Sequence, residues 1–152
     1  MHRQRIYIDT SVAGRCLDEE FNEVSNSFFD MVRQGEIILI LSDLLYQELE
    51  DAPRNVLKIL ESLPPESYII VTTTPECEVL RQEYMAARIL GESSEDDALH
   101  VAIATVHKAD LVVSWNFKHI VNVDKIRRFN AVNLTMGYQT IDIRSPQEVV
   151  RQ

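Results

Sequence analysis

Four polar residues, widely spaced along the chain, are the side chains best suited to chemistry. Asp9 and Asn116 lie where short apolar runs end, whereas Glu48 and Asp97 lie on segments with helical spacing. Ligands of open parallel sheets bind beyond the carboxyl ends of the strands, so these four side chains can meet at one rim. Converging carboxylates repel one another unless a cation neutralises them, and oxygen ligands suit Mg²⁺ or Mn²⁺ rather than zinc. The pattern predicts a metal-dependent phosphoryl-transfer site.

Each acid also has an ordinary structural explanation. Asp9 can cap the turn that follows it, and Glu48 can belong to the solvated face of a helix that Ser42 caps. Ser94 and Asp97, three residues apart before an apolar segment, fit a capping box at a helix N-terminus. Each residue taken alone therefore leaves the choice between structure and function open.

The elements that must position these residues follow from the apolar pattern. Five short, nearly continuous apolar runs are typical of strands buried on both faces, and they cover 6–8, 37–41, 68–71, 111–113 and 140–143. Five segments with apolar residues at helical spacing begin at Phe21, Val56, Val79, Leu99 and Ile126. This alternation predicts an α/β fold, a three-layer α/β/α sandwich with a mainly parallel central sheet, built as one domain over residues 1–152.

Composition limits the class of protein. Hydrophobic residues make up 45% of the 152 residues and charged residues 26%, as in a compact globular chain. No apolar stretch has the length of a secretory or transmembrane segment, so we expect a cytoplasmic protein. Cys16 and Cys77 lie far apart without a metal-ligand spacing, which favours reduced thiols over a disulfide or a zinc site.

The charge distribution limits how the chain could bind nucleic acid. A net charge of −9 argues against a broad phosphate-binding surface. Residues 109–152, however, contain six Lys or Arg against four Asp or Glu. A phosphate-facing surface is therefore expected near Lys118, His119, Lys125, Arg127 and Arg128, unless these are ordinary solvated charges.

Known motifs of other α/β classes are missing from the sequence. The four glycines form neither a dinucleotide-binding GxGxxG nor a P-loop. A phosphatase with an aspartyl nucleophile in a DxD arrangement would need an acid where the chain has Ser11. These classes are therefore disfavoured.

Histidines and aromatic residues near the acids are given structural roles. His100 and His107 pair with no Cys, Ser or second ligand at a recognised spacing, and His119 is a candidate phosphate contact. Trp115 and Phe117 flank the end of a predicted strand, which favours core anchors over a base-stacking platform.

Taken in order, four motifs resemble those of PIN-domain nucleases, particularly the VapC-like toxins of prokaryotic toxin–antitoxin pairs. The resemblance covers nearly the whole chain, and it is the ordered set, rather than any one motif, that is specific. The motifs are Ile8-Asp9-Thr10-Ser11, the segment 42–49, Asp97-Ala98-Leu99-His100-Val101-Ala102, and Ser114-Trp115-Asn116-Phe117-Lys118-His119.

The resemblance implies catalytic roles for Asp9, Glu48, Asp97 and Asn116, the three acids being the metal ligands. Asp96 is a weaker candidate for the position of Asp97. Many similar proteins have Asp where this chain has Asn116, so the amide removes one negative charge from the site. Asn116 could coordinate the metal through its carbonyl oxygen or hold a water bound to it.

The activity that the resemblance implies is Mg²⁺- or Mn²⁺-dependent hydrolysis of RNA phosphodiester bonds without a side-chain nucleophile. Ser114 would line the pocket, as the hydroxyl residue of that motif does in similar proteins. Apart from the resemblance, a nearby cation such as Lys118 could orient the scissile phosphate. Similar proteins dimerise and are inhibited by an antitoxin, so a homodimer and a cognate antitoxin are the implied partners.

Two alternatives remain open. The first is a PIN-like domain whose site is too weak for catalysis and which binds protein or RNA; Asn116 and the net charge of −9 favour it. The second is a nuclease that processes RNA or cleaves DNA outside any antitoxin pair.

Overall fold

The computed structural model, which describes residues 3–150, contains a sheet of five parallel strands. They are β1 (Gln4–Ile8), β2 (Ile37–Ser42), β3 (Tyr68–Val71), β4 (Leu111–Val113) and β5 (Asp142–Arg144), in the order β3-β2-β1-β4-β5. The predicted parallel sheet is thus confirmed. The strand order reverses at β1, which pairs with β2 on one side and β4 on the other. In such sheets this reversal opens a crevice at the carboxyl ends of the two strands.

Helices cover both faces of the sheet, which confirms the three-layer α/β/α sandwich. They are α1 (Thr10–Gly14), α2 (Asn22–Arg33), α3 (Asp43–Glu48), α4 (Arg54–Glu61), α5 (Pro75–Ala86), α6 (Glu95–Val106), α7 (Val123–Thr135) and α8 (Pro146–Val149). Single 3-10 turns lie at Pro65–Ser67 and Glu92–Ser94. No helix within residues 3–150 is long and apolar enough to cross a membrane.

Alternate residues of the central strand separate two apolar cores. Ile6 and Ile8 of β1 pack in the core that includes residues of α1, α2 and α4. Tyr7, between them, packs in the core on the other face, formed with residues of α5, α6 and α7. The side-chain alternation of a strand therefore places Tyr7 beside α6, the helix that carries Asp97 and His100.

The fifth strand begins two residues later than the run 140–143 predicts. Ile141 is buried, but its backbone is bonded to a side chain of α7 rather than to a neighbouring strand. The Asn130 amide donates to the Ile141 carbonyl at 2.9 Å, and its oxygen accepts from the Ile141 N–H at 2.7 Å. The Asn130 side chain thus replaces the strand-to-strand hydrogen bonds at the start of this apolar run.

Three predictions about the helices have different outcomes. The Ser42 hydroxyl accepts from the Leu45 N–H at 3.1 Å and caps α3, as expected. The capping box of Ser94 and Asp97 is wrong, because the Ser94 side chain makes no capping bond and instead lies 3.4 Å from His119 Nδ1. The expected helical segment beginning at Val79 ends before Leu90, since Arg88 adopts a left-handed backbone with φ of 56° after α5.

Both cysteines are free thiols, as their spacing predicts, and both are buried. Burial raises the pKa of Cys16 to about 12, so this thiol stays protonated at neutral pH.

The Asp43 carboxylate joins the start of α3 to the segment after β3, and its removal should destabilise the fold in a pH-dependent way. Oδ1 accepts from the Thr73 hydroxyl at 2.8 Å and from the Thr73 N–H at 3.0 Å. Burial raises the pKa of Asp43, but the bonds from Thr73 and the Leu44 N–H outweigh it and hold the pKa below its ordinary value. We expect Asp43→Asn to lower the free energy of unfolding by about 1 kcal/mol at neutral pH in urea titrations.

The pH dependence of that loss follows from the depressed pKa. Stabilisation by the Asp43 carboxylate is fully present above the unfolded-state pKa, about 4, and is lost as the pH falls through the folded-state pKa. The gap between wild type and variant should therefore close in acid. Asp51→Asn, at an exposed acid after α3, is the matched control and should change little. A gap of the same size at acidic and neutral pH would contradict this explanation.

Candidate functional site

Asp9 lies in the crevice between β1 and β4, directly after β1. Asp9 is only 4% exposed, and its carboxylate makes no capping bond to α1. Instead Oδ1 accepts from the Ser11 hydroxyl at 2.6 Å and Oδ2 accepts from the Ser114 hydroxyl at 2.6 Å. The ordinary explanation of Asp9 as a helix cap therefore does not describe this side chain.

Burial raises the pKa of the Asp9 carboxyl above its ordinary value. The charge of His100 and the two serine hydroxyls lower it in part, whereas the negative charge of Asp97 raises it further. Asp9 is thus a carboxylate whose charged form is poorly stabilised by the protein, and a second acid acts on it electrostatically.

The two hydroxyls beside Asp9 are held in place by backbone donors from the turn after β4. Ser11 Oγ accepts from the Trp115 N–H at 2.8 Å, and Ser114 Oγ accepts from the Asn116 N–H at 2.9 Å. Because each oxygen accepts from an amide, its proton is free to point to the carboxylate. Ser114, predicted to line the pocket, is in direct contact with Asp9.

Glu48, the last residue of α3, reaches the site through a histidine. Its Oε1 lies 2.6 Å from His100 Nε2 and also accepts from the Thr10 hydroxyl. Burial raises the pKa of Glu48, but the hydrogen bond and charge of His100, with the Thr10 bond, outweigh it and hold the pKa below its ordinary value. Glu48 is therefore ionised at neutral pH.

His100 is 2% exposed and contacts Glu48 with one ring nitrogen and Tyr7 with the other. Its Nδ1 lies 2.5 Å from the Tyr7 hydroxyl, which in turn lies 2.9 Å from the Ser42 hydroxyl. Burial raises the pKa of Tyr7 well above its ordinary value. His100 is predicted from the sequence to have a structural role, and the structure adds its bond to Glu48.

Asp97, in the first turn of α6, pairs with a second histidine. Asp97 Oδ2 lies 2.8 Å from His119 Nδ1, and both side chains are about one quarter exposed. The Asn116 oxygen accepts from the His119 N–H at 2.9 Å. Asn116 thus fixes the turn that presents His119 to Asp97, which is a structural use of the amide beside any role in coordination.

The ligand atoms that these residues offer are of the type that a hard divalent cation prefers. Asp9, Asp97, Glu48 and the neighbouring hydroxyls are oxygen donors. Burial, and to a lesser extent the negative charge of Asp97, raises the pKa of Asp9, and a bound cation would stabilise the ionised carboxylate against both. Within residues 3–150, however, no three His, Cys, Asp or Glu side chains converge closely enough to form a ready metal cluster. Glu48 and Asp97 are engaged by imidazoles instead.

A groove of about 1110 Å³ adjoins this region on the side of His119. Four basic or imidazole residues line it together with two acids: Arg88, Lys118, His119, Lys125, Glu92 and Glu95. Lys125 donates from Nζ to the Ile89 carbonyl at 2.8 Å, so part of its charge serves the fold. Lys118 is exposed in the groove and is in no bonding contact with the three acids.

The two aromatic residues of the turn after β4 differ. Trp115 is buried, as predicted, and its Nε1 donates to the Ser25 hydroxyl at 2.9 Å. Phe117 is 51% exposed, so its prediction as a core anchor is wrong. Its ring meets the Trp115 ring edge to face at 6.2 Å, because the turn places only one of the two aromatic side chains in the core. His107 keeps its structural role, since its Nε2 lies 2.9 Å from the Thr72 carbonyl.

Comparison with known proteins shows similarity at the level of structure. No protein-family model matches the sequence, and no curated protein is significantly similar to it. The fold is similar to that of DNA-bound VapBC from Salmonella typhimurium, with a TM-score of 0.60 at 15% identity over 94% of this chain and 98% of the other.

Two further structures agree. VapBC2 from Rickettsia felis, bound to a fragment of promoter DNA, gives a TM-score of 0.59 at 12% identity, covering 93% of this chain and 98% of the other. The VapC20 toxin of Mycobacterium tuberculosis, which cleaves the sarcin-ricin loop, gives 0.56 at 12% identity, covering 90% and 98%. At these identities the likeness shows the fold: this chain has the PIN-like α/β fold.

Replacing Asp9 should stabilise the chain at neutral pH, because its carboxylate is buried with an upward-shifted pKa. An amide at this position can accept from one serine and donate to the other. We expect Asp9→Asn, measured in the presence of a chelator, to raise the free energy of unfolding by on the order of 1 kcal/mol, or roughly 2–4 °C in Tm.

The sign of the pH dependence distinguishes this effect from a general one. The cost of the ionised Asp9 is present above its raised folded-state pKa and is gone below the unfolded-state pKa of about 4. The advantage of the variant should therefore vanish in acid, and Asp51→Asn should show no such advantage. An Asp9→Asn chain less stable than wild type at neutral pH would show that the protein already compensates the charge.

Proposed function

We propose that this chain is a metal-dependent endoribonuclease, the toxin of a toxin–antitoxin pair. The observation that carries the proposal is the buried Asp9 carboxylate in the crevice between β1 and β4, with an upward-shifted pKa and the charge of Asp97 acting on it. A protein that keeps an unfavourable buried charge at the ligand-binding end of a parallel sheet has a use for that charge.

Asp9 and Asp97 would hold Mg²⁺ or Mn²⁺, with Glu48 as the third acid. When bound, the cation would activate a water and neutralise charge on the phosphoryl oxygens. Ser114 and Ser11 orient the Asp9 carboxylate through their bonds of 2.6 Å, and His119 and His100 hold the other two acids. Asn116 acts by fixing the turn of His119.

The groove beside His119 supports the proposal that the substrate is a polyanion. Its basic side chains adjoin the acids, whereas the chain as a whole carries a net charge of −9. Local positive charge next to a proposed metal site suits a nucleic-acid backbone, whose phosphates must approach an otherwise acidic protein. Lys118, exposed in this groove, is the residue that we propose to contact a phosphate of the substrate.

The partners proposed are an RNA substrate, a cognate antitoxin and a second copy of this chain. The fold is that of VapBC structures solved as complexes on DNA, and one similar protein is a toxin that cleaves the sarcin-ricin loop. These similarities support the toxin over a processing nuclease, which stays the alternative within the same activity.

A PIN-like binding module without catalysis is the second candidate. The observation that favours it is the pairing of Glu48 and Asp97 with imidazoles, which leaves no preformed group of three metal-ligating side chains in residues 3–150. Such a module would bind RNA or protein in the groove without metal-dependent cleavage.

The two candidates differ in the effect of Asp97→Asn on cleavage. We expect metal-dependent cleavage of a pool of labelled RNAs by the wild type, and a loss of at least about 100-fold in the variant, because a ligand of the cation and its charge are removed. Asp96→Asn is the matched control, since this exposed neighbour carries the same charge on the same turn, and it should retain activity.

Titration of Mn²⁺ by calorimetry supplies the second readout, independent of turnover. Wild type and Asp96→Asn should bind the ion alike, and Asp97→Asn more weakly. Equal cleavage by wild type and Asp97→Asn would refute the assignment of the site, whereas binding of RNA without cleavage or metal uptake would favour the binding module.

Lys118→Gln tests the groove. In an Asp97→Asn background, so that the RNA stays intact, we expect roughly 3- to 10-fold weaker binding of single-stranded RNA at low salt. The slope of log affinity against log salt should fall by about 0.7, the value for one lost phosphate contact. Lys58→Gln on α4, on the opposite face of the sheet, removes the same charge and should leave both quantities unchanged. Equal effects of the two substitutions would mean that only net charge matters.

A further inference from the structure

A continuous row of hydrogen-bonding side chains crosses the interior next to the proposed metal site. It runs from the Ser42 hydroxyl through the Tyr7 hydroxyl and the His100 imidazole to the Glu48 carboxylate, with neighbouring distances of 2.9, 2.5 and 2.6 Å. Every member except Glu48 is buried. The row joins β2, β1, α6 and α3, so four elements determine where Glu48 lies.

The direction of the last bond follows from the chemistry of its partners. A carboxylate only accepts, so His100 Nε2 carries a proton and donates it to Glu48 Oε1. Tyr7, buried and with its pKa raised, keeps its hydroxyl proton and bonds His100 Nδ1 on the other side of the ring. The imidazole is thereby fixed in orientation from both nitrogens, as happens for histidines that orient ligands.

Both donors to Glu48 use the same oxygen. His100 Nε2 and the Thr10 hydroxyl both donate a hydrogen bond to Oε1, whereas Oε2 accepts none from the described residues. A carboxylate held at one oxygen presents the other in a defined place. The cost of ordering the long Glu48 side chain is then met by folding rather than by binding of the ion.

We propose that His100 is a positioning residue, which holds Glu48 by Oε1 so that Oε2 serves the cation. The inference rests on the proposed function, since it matters only if Glu48 contributes to a metal site. A positioning role differs from a merely structural role in one respect. If His100 is a positioning residue, its effect on metal binding must depend on the presence of Glu48.

The test is a double-mutant cycle on the affinity for Mn²⁺, measured by calorimetry on the full chain. His100→Leu removes both ring bonds, and we expect it to weaken Mn²⁺ binding roughly 10- to 100-fold, as is typical when the partner of a metal ligand is lost. His100→Gln keeps a donor near the place of Nε2 and should restore binding to within about threefold of wild type. In a Glu48→Gln background, His100→Leu should cause no further loss.

Tyr7→Phe provides a second variant in case His100→Leu does not fold. It keeps the ring volume and removes the hydroxyl that fixes Nδ1, so its smaller loss of Mn²⁺ affinity should also disappear in the Glu48→Gln background. Thermal unfolding of each variant identifies chains that have lost their structure.

The outcomes separate the two proposals. Unchanged Mn²⁺ affinity in His100→Leu, or losses that add fully to those of Glu48→Gln, would overturn the positioning role while leaving the metal site intact. Absence of Mn²⁺ binding by the wild type would overturn the proposed function, and the positioning role with it. A coupled loss, relieved by His100→Gln, would support both.

Discussion

The buried carboxylate of Asp9 is the constraint on which the rest of this site depends. Moving an ionised carboxyl group out of water costs several kcal/mol unless hydrogen bonds or opposite charges compensate it. Here the compensation comes in part from the charge of His100 and in part from two serine hydroxyls, one from α1 and one from the turn after β4. Those hydroxyls are aimed by amide donors of the same turn, so the conformation of the turn and the stability of the charge are inseparable.

Two histidines bind the other two acids of the proposed site, Glu48 and Asp97. His100 and His119 each place an imidazole between an acid and the surrounding protein, at 2.6 Å from Glu48 and 2.8 Å from Asp97. Each contact fixes the position of its carboxylate group. The geometry therefore combines histidine contacts to two acids with a set of oxygen donors that a cation could engage.

The parts of the fold predicted from sequence are those that depend on local apolar pattern. The strands lie close to their predicted places because a strand buried on both faces needs an uninterrupted apolar run. The fifth strand is displaced because Asn130, eleven residues from Ile141, satisfies the backbone there. No periodicity in the sequence contains that information.

In the candidate site, too, the sequence predicts what depends on local pattern and misses what depends on contacts between distant residues. That Asp9 and Ser114 follow the carboxyl ends of two parallel strands could be inferred from the sequence, since only the ends of two apolar runs had to be identified. That the two strands are neighbours is known from the structure alone. The pairing of Glu48 with His100 could not, because it depends on which face of α6 meets β1. A weak signal existed in the spacing of Asp97 and His100, three residues apart and so on one side of the helix.

The charges of the groove show why a net charge of −9 is a poor guide to function in this chain. Lys125 and Arg128 donate to carbonyls of the segment after α5, at 2.8 and 3.1 Å, and so stabilise the wall of the groove while adding positive potential to it. Because exposed charges beyond about 10 Å are largely screened at moderate ionic strength, distant acids weaken this local field only slightly. What a phosphate group meets is then determined by the few charged residues that line the groove, Glu92 and Glu95 included, and the net charge of the whole sequence does not describe it.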